Sequence, residues 1–510
     1  MSKSDTIIAQ EKKNGNSYGS ILKSSSVVGG AEVVNYGVGL FRTKVIALLL
    51  GPSGVGLLGL FSNIQQMLTT FAGLGVSFSA VREVAKEGDL QDPEALAHAI
   101  VGLRRVCWVL GLLGWFVAAL VAYPVSQLVL QDTSYALGVA LLGCGAGLSI
   151  ISSGQKSLIQ GLRRIGDLAR IKIASVVVST VVAVALYLCL REDGIVPALL
   201  ATALCQLSVS WYFARRISLV SIEQSWPYTW RYARRLLGMG MAFMWSILLV
   251  ALVDLFIRSF ILRELGIDAV GIYQAAWAVS GLFASFVLNA MGADFYPRLT
   301  QVEANHPEVV RLVNEQTEIG LLLALPGVLA TLIFAPLIIT VLYSSAFNEA
   351  AHILPWLALG VMGRVITWPL GFILLAKGAK GRFALVETIM QVPRIFLFIW
   401  LVGKWGLLGA AIAWPLHYMI YAAIIYPMSR QMVGFSYQPQ SLRLLGIVVL
   451  WTLAAFGVAI SLPQEWGICI GALIVTGGSW YSLRALLKRL DSKHRIMRIL
   501  HKFPFLGDIV

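Results

Sequence analysis

Charge is what this sequence has least of. Asp, Glu, Lys and Arg make up 13% of its 510 residues, about half the share of an ordinary soluble domain. Cysteine is sparse too. Cys107, Cys144, Cys189, Cys205 and Cys469 are odd in number and scattered through apolar runs. No two of them have metal-ligand spacing, so a disulfide scaffold and a cysteine metal site are excluded. They read as small buried hydrophobes. No Asp-x-Asp pair and no sizeable loop of acids and histidines is present, so the chain lacks what a membrane glycosyltransferase or polymerase needs. It reads as a non-enzyme, with no metal or other cofactor expected. No cleavable signal peptide opens the chain: residues 1–20 are polar, and the first apolar run is too long for a signal core.

Apolar residues dominate instead. Residues of that kind make up 58% of the chain, and the net charge is +14. One soluble core stops growing near about 250–300 residues, so an ordinary cytosolic enzyme is excluded. The apolar runs are continuous and do not alternate, which excludes a β-barrel. Only helices then satisfy their backbone inside lipid. Hydropathy predicts spans at about 24–50, 54–81, 98–122, 134–160, 173–190, 196–214, 237–262, 270–292, 317–342, 350–376, 385–402, 406–429, 442–462 and 467–484. The expected fold is all-α and polytopic, with about 14 transmembrane helices.

Basic residues fall in every second loop. The intervening loops hold Arg191, Arg263 and Lys404. The positive-inside rule therefore predicts an even helix number and both termini in the cytoplasm. Most of the +14 is thus a topology signal, and no nucleic-acid partner is needed. Trp226-Pro227-Tyr228-Thr229-Trp230-Arg231-Tyr232 mixes aromatics with Arg, which suits the headgroup layer of the bilayer. The basic tail after Arg484 suits anionic membrane lipids.

An internal repeat is visible. Leu50-Gly51-Pro52-Ser53-Gly54-Val55-Gly56-Leu57 resembles Leu265-Gly266-Ile267-Asp268-Ala269-Val270-Gly271-Ile272 at an offset of 215, which Phe71 and Phe286 keep. Gly194-Ile195-Val196-Pro197-Ala198 resembles Gly406-Leu407-Leu408-Gly409-Ala410 at an offset of 212. Two parallel six-helix lobes around a central cleft fit this spacing. The predicted organisation is a cytosolic tail (1–20), an N-lobe (21–216), a cytosolic linker (217–236), a C-lobe (237–430), two extra helices (442–484) and a basic tail (485–510).

Five cations fall within the spans: Arg42, Lys44, Arg258, Arg364 and Arg394. Three acids join them: Glu32, Asp254 and Glu387. Such residues are costly in lipid and mark bundle interiors or watery cavities. Arg42 and Arg258 occupy matching places in the two halves, one residue out of register. Glu387, Gln391 and Arg394 share one helical face. Internal ion pairing is one reading, with Asp254 against Arg258 and Glu387 against Arg364 or Arg394. A cationic cavity for an anionic phosphate or pyrophosphate is the other, and the surplus of cations favours it. Asn35, Tyr36, Asn63, Gln65, Gln66, Gln274 and Asn289 suit sugar hydroxyls or interhelical hydrogen bonds. His417, after Trp414-Pro415, reads as packing beside a kink.

Four segments carry a family resemblance. They are Arg42-Thr43-Lys44 running into Leu50-Gly51-Pro52-Ser53-Gly54-Val55-Gly56, Ile159-Gln160-Gly161-Leu162-Arg163-Arg164-Ile165, Asp294-Phe295-Tyr296-Pro297-Arg298-Leu299, and Gly406-Leu407-Leu408-Gly409-Ala410. Over about residues 20–430 the chain resembles the Wzx-type polysaccharide flippases of the multidrug/oligosaccharidyl-lipid/polysaccharide exporter superfamily. The resemblance implies two lobes around a cavity that opens alternately to each side. It implies movement of an undecaprenyl-pyrophosphate-linked oligosaccharide, an O-antigen-like unit, from the inner to the outer leaflet of the bacterial cytoplasmic membrane. A coupling proton or sodium ion and other glycan-assembly membrane proteins are the implied partners. Arg42, Arg258, Arg364, Lys44 and Arg394 would then meet the pyrophosphate, and Glu32, Asp254 and Glu387 are the coupling or ion-pair candidates. Asp294 and Arg298 would sit at a cytosolic gate. Many relatives of this kind have 12 spans, whereas lipid II flippases have 14. A lipid II-like flippase and a drug exporter of the same superfamily are the alternatives.

Overall fold

The computed structural model describes residues 3–89, 92–217, 220 and 222–489. Residues 1–2 of the expected N-terminal tail and 490–510 of the expected basic tail lie outside the described residues. Among the described residues every regular element is a helix and no strand occurs, as backbone satisfaction in lipid demands. Nine helical stretches there are long and apolar enough to cross a membrane. The chain is a multi-pass membrane protein. It divides into two compact units, Met1–Arg263 and Glu264–Val510.

The first unit contains α1 (Lys3–Gly73), α2 (Val76–Asp89), α3 (Pro93–Leu120), α4 (Ala122–Val125), α5 (Ala136–Gly161), α6 (Ile165–Leu190), α7 (Ile195–Ala214) and nearly all of α8 (Trp226–Leu265). The apolar part of α1, Gly30–Gly73, has 44 residues. As one rod it would run about 66 Å, twice the hydrocarbon core. A break at Gly51 (φ 65°, ψ −168°) divides it. The chain breaks again at Leu74 (φ 47°) and Gly75 (φ 68°), so the span expected over 54–81 ends early and α2 is a separate amphipathic helix. Asp92 starts α3, accepting from the Glu94 and Ala95 amides at 3.0 and 3.1 Å, with Pro93 at the first turn. α3 and α5 pack backbone to backbone: a Cβ on Gly147 would stand 2.7 Å from the Gly111 carbonyl oxygen. Small residues permit that approach.

The stretch expected as a linker over 217–236 is helical from Trp226 onward and forms the first turns of α8. Trp226 and Trp230 remain exposed, while Tyr232, Ala233 and Leu236 enter the core built by Ile100, Leu103 and Ile159. Arg105 fixes this corner. Its Nη1 donates to the Gln224 carbonyl at 2.7 Å, and its guanidinium lies 5.2 Å over the Trp226 ring. Glu83 of α2 meets Arg235 of α8 at 3.6 Å.

The second unit contains α9 (Ile267–Gln301), α10 (His306–Ile333), α11 (Ala335–Leu342), α12 (Asn348–Ala376), α13 (Lys380–Val433), α14 (Pro439–Ser461) and α15 (Gln464–Leu487). The span expected over 317–342 is interrupted at Phe334, where Pro336 opens α11. α13 is broken at Gly406 (φ 56°, ψ −134°). Leu325, Leu329, Val361 and Val365 pack with Leu444 and Val448, which seats α14 on α10 and α12. Glu318 of α10 accepts from Ser441 Oγ at 2.6 Å and from Arg489 Nε at 2.7 Å, so the appended helices are joined to this unit by polar bonds as well.

The repeat is written in the backbone. Gly51 and Gly266 (φ 88°) both have positive φ, as do Arg163 (φ 55°) and Gly378 (φ 66°), and Arg191 (φ 53°) and Gly406 (φ 56°). All three pairs keep the offset that relates the Leu50 and Leu265 segments. The late turn therefore needs a correction: it follows this same offset, and Gly194 corresponds to Gly409 rather than to Gly406. A Cβ on Gly194 would stand 2.7 Å from the Leu186 carbonyl oxygen, and one on Gly409 would collide with the carbonyl of Leu401, the equivalent of Leu186. The mismatch arose because Arg occupies the positive-φ corner where the second copy has Gly.

Candidate functional site

In the first unit the predicted cations lie on two helices, Arg42 and Lys44 on α1 and Arg258 on α8. Arg42 and Lys44 are half-buried on α1. Arg42 lies within electrostatic reach of Tyr187 on α6. Glu32, a coupling or pairing candidate, forms an ion pair with Lys172 of α6. Lys156 of α5 stands close enough to Lys172 for the two charges to interact. Helices α5 and α6 carry Lys156 and Lys172 to the same end of the bundle as Glu32.

Arg258 is 4% exposed, and its Nη1 donates to the backbone carbonyl of Asp254 at 2.9 Å. The i, i+4 spacing that suggested a side-chain pair thus also delivers a main-chain acceptor. Next to it, Ser259 Oγ donates to the Val129 carbonyl oxygen at 3.0 Å. That carbonyl belongs to the last turn of the helix that ends at Leu130, where carbonyls have no intrahelical donor and are available to neighbours. The polar companions serve local bonds. Asn63 Nδ2 donates to the Gly59 carbonyl at 2.6 Å, and Gln66 Nε2 to Thr70 Oγ1 at 3.4 Å. Asn35 and Tyr36 are half-buried.

In the second unit the break at Gly406 folds α13 so that its two halves share one polar cluster. Arg394 is 6% exposed. Its Nη1 donates to Gln391 Oε1 at 3.3 Å, and its guanidinium lies 5.1 Å from the centroid of Trp414, a cation–π arrangement. Glu387, one turn before Gln391, accepts from Tyr421 Oη at 3.1 Å. His417 is buried and stacks on Trp414 with centroids 6.0 Å apart. Trp277 of α9 closes on Trp414 edge to face at 4.6 Å. Gly360 of α12 makes room for Trp414, and Gly363 for Tyr418. Glu387, Gln391 and Arg394 line one face of α13, but the hydroxyl on Glu387 comes from Tyr421, beyond the break at Gly406.

Arg364 is half-buried on α12, and its carbonyl accepts from Thr367 Oγ1 at 3.3 Å. Gln274 is half-buried on α9. Arg298 is exposed near the end of α9 and lies within electrostatic reach of Glu308. The side chains of Asp294 and Asn289 lie outside the described residues. Among the described residues no group of three or more His, Cys, Asp and Glu side chains is placed to hold a metal ion. What the arrangement offers is buried or half-buried guanidinium groups in each unit, chemistry suited to oxygens of an anion.

A family model described as polysaccharide biosynthesis protein matches residues 21–303. The lipid III flippase of Escherichia coli (strain K12) is 24% identical over 421 residues, covering 79% of this chain and 97% of the relative. A putative O-antigen transporter of Shigella flexneri is 23% identical over 384 residues, covering 74% of this chain and 90% of that protein. Among solved structures, the lipid II flippase MurJ in an inward closed conformation superposes with a TM-score of 0.66 at 15% identity, covering 91% of this chain and all of that one. An inward-facing multidrug resistance MATE transporter of the MOP superfamily gives 0.64 at 16% identity, covering 78% and 94%. These likenesses show the fold of that superfamily.

Proposed function

Because the chain belongs to the polysaccharide biosynthesis protein family, we propose that it flips a lipid-linked glycan across a membrane. The substrate in this reading is an undecaprenyl-pyrophosphate-linked oligosaccharide. It passes from the inner to the outer leaflet of the bacterial cytoplasmic membrane by alternating access, with both protein termini in the cytoplasm. The observation that carries the reading is the helix-borne positive charge of the spans: buried Arg258 and Arg394 with half-buried Arg42, Lys44 and Arg364. A diphosphate is held well by guanidinium groups away from bulk water. A pocket for cationic drugs would instead need surplus carboxylates.

Arg42 and Arg258 are the proposed diphosphate contacts, with Lys44, Arg364 and Arg394 supporting the field. Glu387, bonded to Tyr421, is the favoured carrier of a coupling cation, since Glu32 is engaged by Lys172. Asp254 remains a second candidate, and Arg298 with Asp294 a cytosolic gate. A lipid II-like cargo is the second reading. The appended helices α14 and α15, joined to α10 through Glu318, favour it, because many Wzx-type proteins end at 12 spans. Both readings share a polyprenyl diphosphate carrier. The test is restoration of surface glycan in a bacterial strain whose own glycan flippase is deleted. Export restored by the wild type and lost with Arg42→Ala plus Arg258→Ala supports the reading, and export restored equally by the double variant contradicts it.

A further inference from the structure

A cavity of about 200 Å³ opens in the first unit beside the break between α1 and α2. Its wall carries Gln66, Thr69 and Thr70 from α1, Ser77 from α2 and Ser153 from α5. Among the described residues no charged side chain lines it. The volume falls below the roughly 300–1,000 Å³ of sites for drug-sized ligands, a size suited to one small ring.

The hydrogen-bond inventory of the wall is specific. Thr69 Oγ1 donates to the Gln65 carbonyl at 2.7 Å, and Thr70 Oγ1 to the Gln66 carbonyl at 2.9 Å. Both hydroxyl protons are thus committed to the helix, which leaves the Thr69 oxygen as an acceptor and the Thr70 oxygen with one lone pair beyond the one that meets Gln66 Nε2. The side-chain carbonyl of Gln66 is a further acceptor, and Ser77 and Ser153 can donate or accept. Such a set suits a neutral ligand that both donates and accepts hydrogen bonds through several hydroxyls. The wall offers a phosphate no cation and a cationic drug no carboxylate among the described residues. Met244 and Ile247 of α8 and Ile150 of α5 supply apolar surface for the C–H face of a ring.

The backbone at the cavity is strained in the same place. Leu74 takes φ 47° between Gly73 and Gly75, both of which line the cavity. A leucine in the left-handed region is costly and persists only where the surroundings hold it. Here the break turns the chain so that α2 presents Ser77 to hydroxyls of α1.

We propose that this cavity seats one sugar residue of the lipid-linked substrate and discriminates among sugars, apart from the arginines that meet the diphosphate. The inference rests on the glycan-flipping reading, and its test separates the two. Purified protein in nanodiscs is titrated with bare undecaprenyl pyrophosphate. The same carrier is then tested bearing N-acetylglucosamine, N-acetylgalactosamine or galactose. The wild type binds the bare carrier and binds at least one glycosylated carrier more tightly. Ser153→Leu, which fills the cavity, and Thr69→Val with Ser77→Ala, which removes hydroxyls at nearly constant volume, each cost about tenfold for that glycosylated carrier. Binding of the bare carrier stays unchanged. The double variant carries the test if the leucine variant does not fold. Wild type that binds no carrier at all contradicts the flipping reading. Wild type that binds all carriers alike, or variants that weaken bare and glycosylated carriers equally or neither, overturn the sugar seat.

Discussion

Arg191 and Gly406 occupy equivalent corners of the repeat with nearly the same backbone angles, φ 53° and ψ −129° against φ 56° and ψ −134°. One copy places glycine at this corner, and the other holds an arginine there. The arginine Nη1 donates to the Leu49 carbonyl at 3.3 Å, which offsets part of the strain. Gly406→Ala is therefore expected to lower thermal stability by about 1–3 kcal/mol, the cost of a side chain in that region. Arg191→Gly changes stability much less, because relief of strain and loss of the bond oppose one another. Thermal unfolding of the purified variants checks both.

The α3–α5 contact gives a second expectation. A Cβ at position 147 would meet the Gly111 carbonyl oxygen at 2.7 Å, and backbone cannot rotate away as a side chain does. Gly147→Leu should cost about 1–3 kcal/mol or prevent folding, whereas Gly37→Leu, with no atom within 4 Å of its Cβ, should cost little. Folded yield after size exclusion of the two variants checks the contrast.

Much of the architecture is legible in the sequence, because lipid forces every span to be helical and apolar length reports each one. The positions where Gly51 and Gly406 bend the chain could be named from glycine alone. Leu74 and Arg191 could not, since nothing in a leucine or an arginine announces positive φ, and the register of the late turn slipped for that reason. The site shows the same division. Intramembrane charge singled out Arg258, Arg394 and Glu387, which are rare in lipid and so visible. Their surroundings were not legible. Lys172 meets Glu32 from a helix far along the chain, and Tyr421 reaches Glu387 only because α13 folds back at Gly406. The hydroxyl-lined cavity was hidden because Ser and Thr in helices usually bond their own backbone.

Glu387 and Tyr421 should behave as a coupled pair. Removing the phenol in Tyr421→Phe costs about 1 kcal/mol, the penalty of depriving a half-buried acceptor. Glu387→Gln keeps an acceptor and costs less. In the double variant the losses should fall short of additivity by about 0.5 kcal/mol or more. A double-mutant cycle on unfolding in detergent measures that difference.

The central claim is that the arginines of the spans hold the diphosphate of a glycan carrier while it crosses. A reconstituted assay tests it most directly: proteoliposomes carrying a labelled undecaprenyl-pyrophosphate oligosaccharide, with leaflet exchange read by an impermeant glycan-modifying enzyme. Exchange is expected with the wild type. A fall of at least about tenfold is expected in Arg42→Ala and in Arg258→Ala, the loss of a charge-assisted contact worth about 1.5–3 kcal/mol, with folding retained. Exchange at the wild-type rate in both variants would contradict the claim.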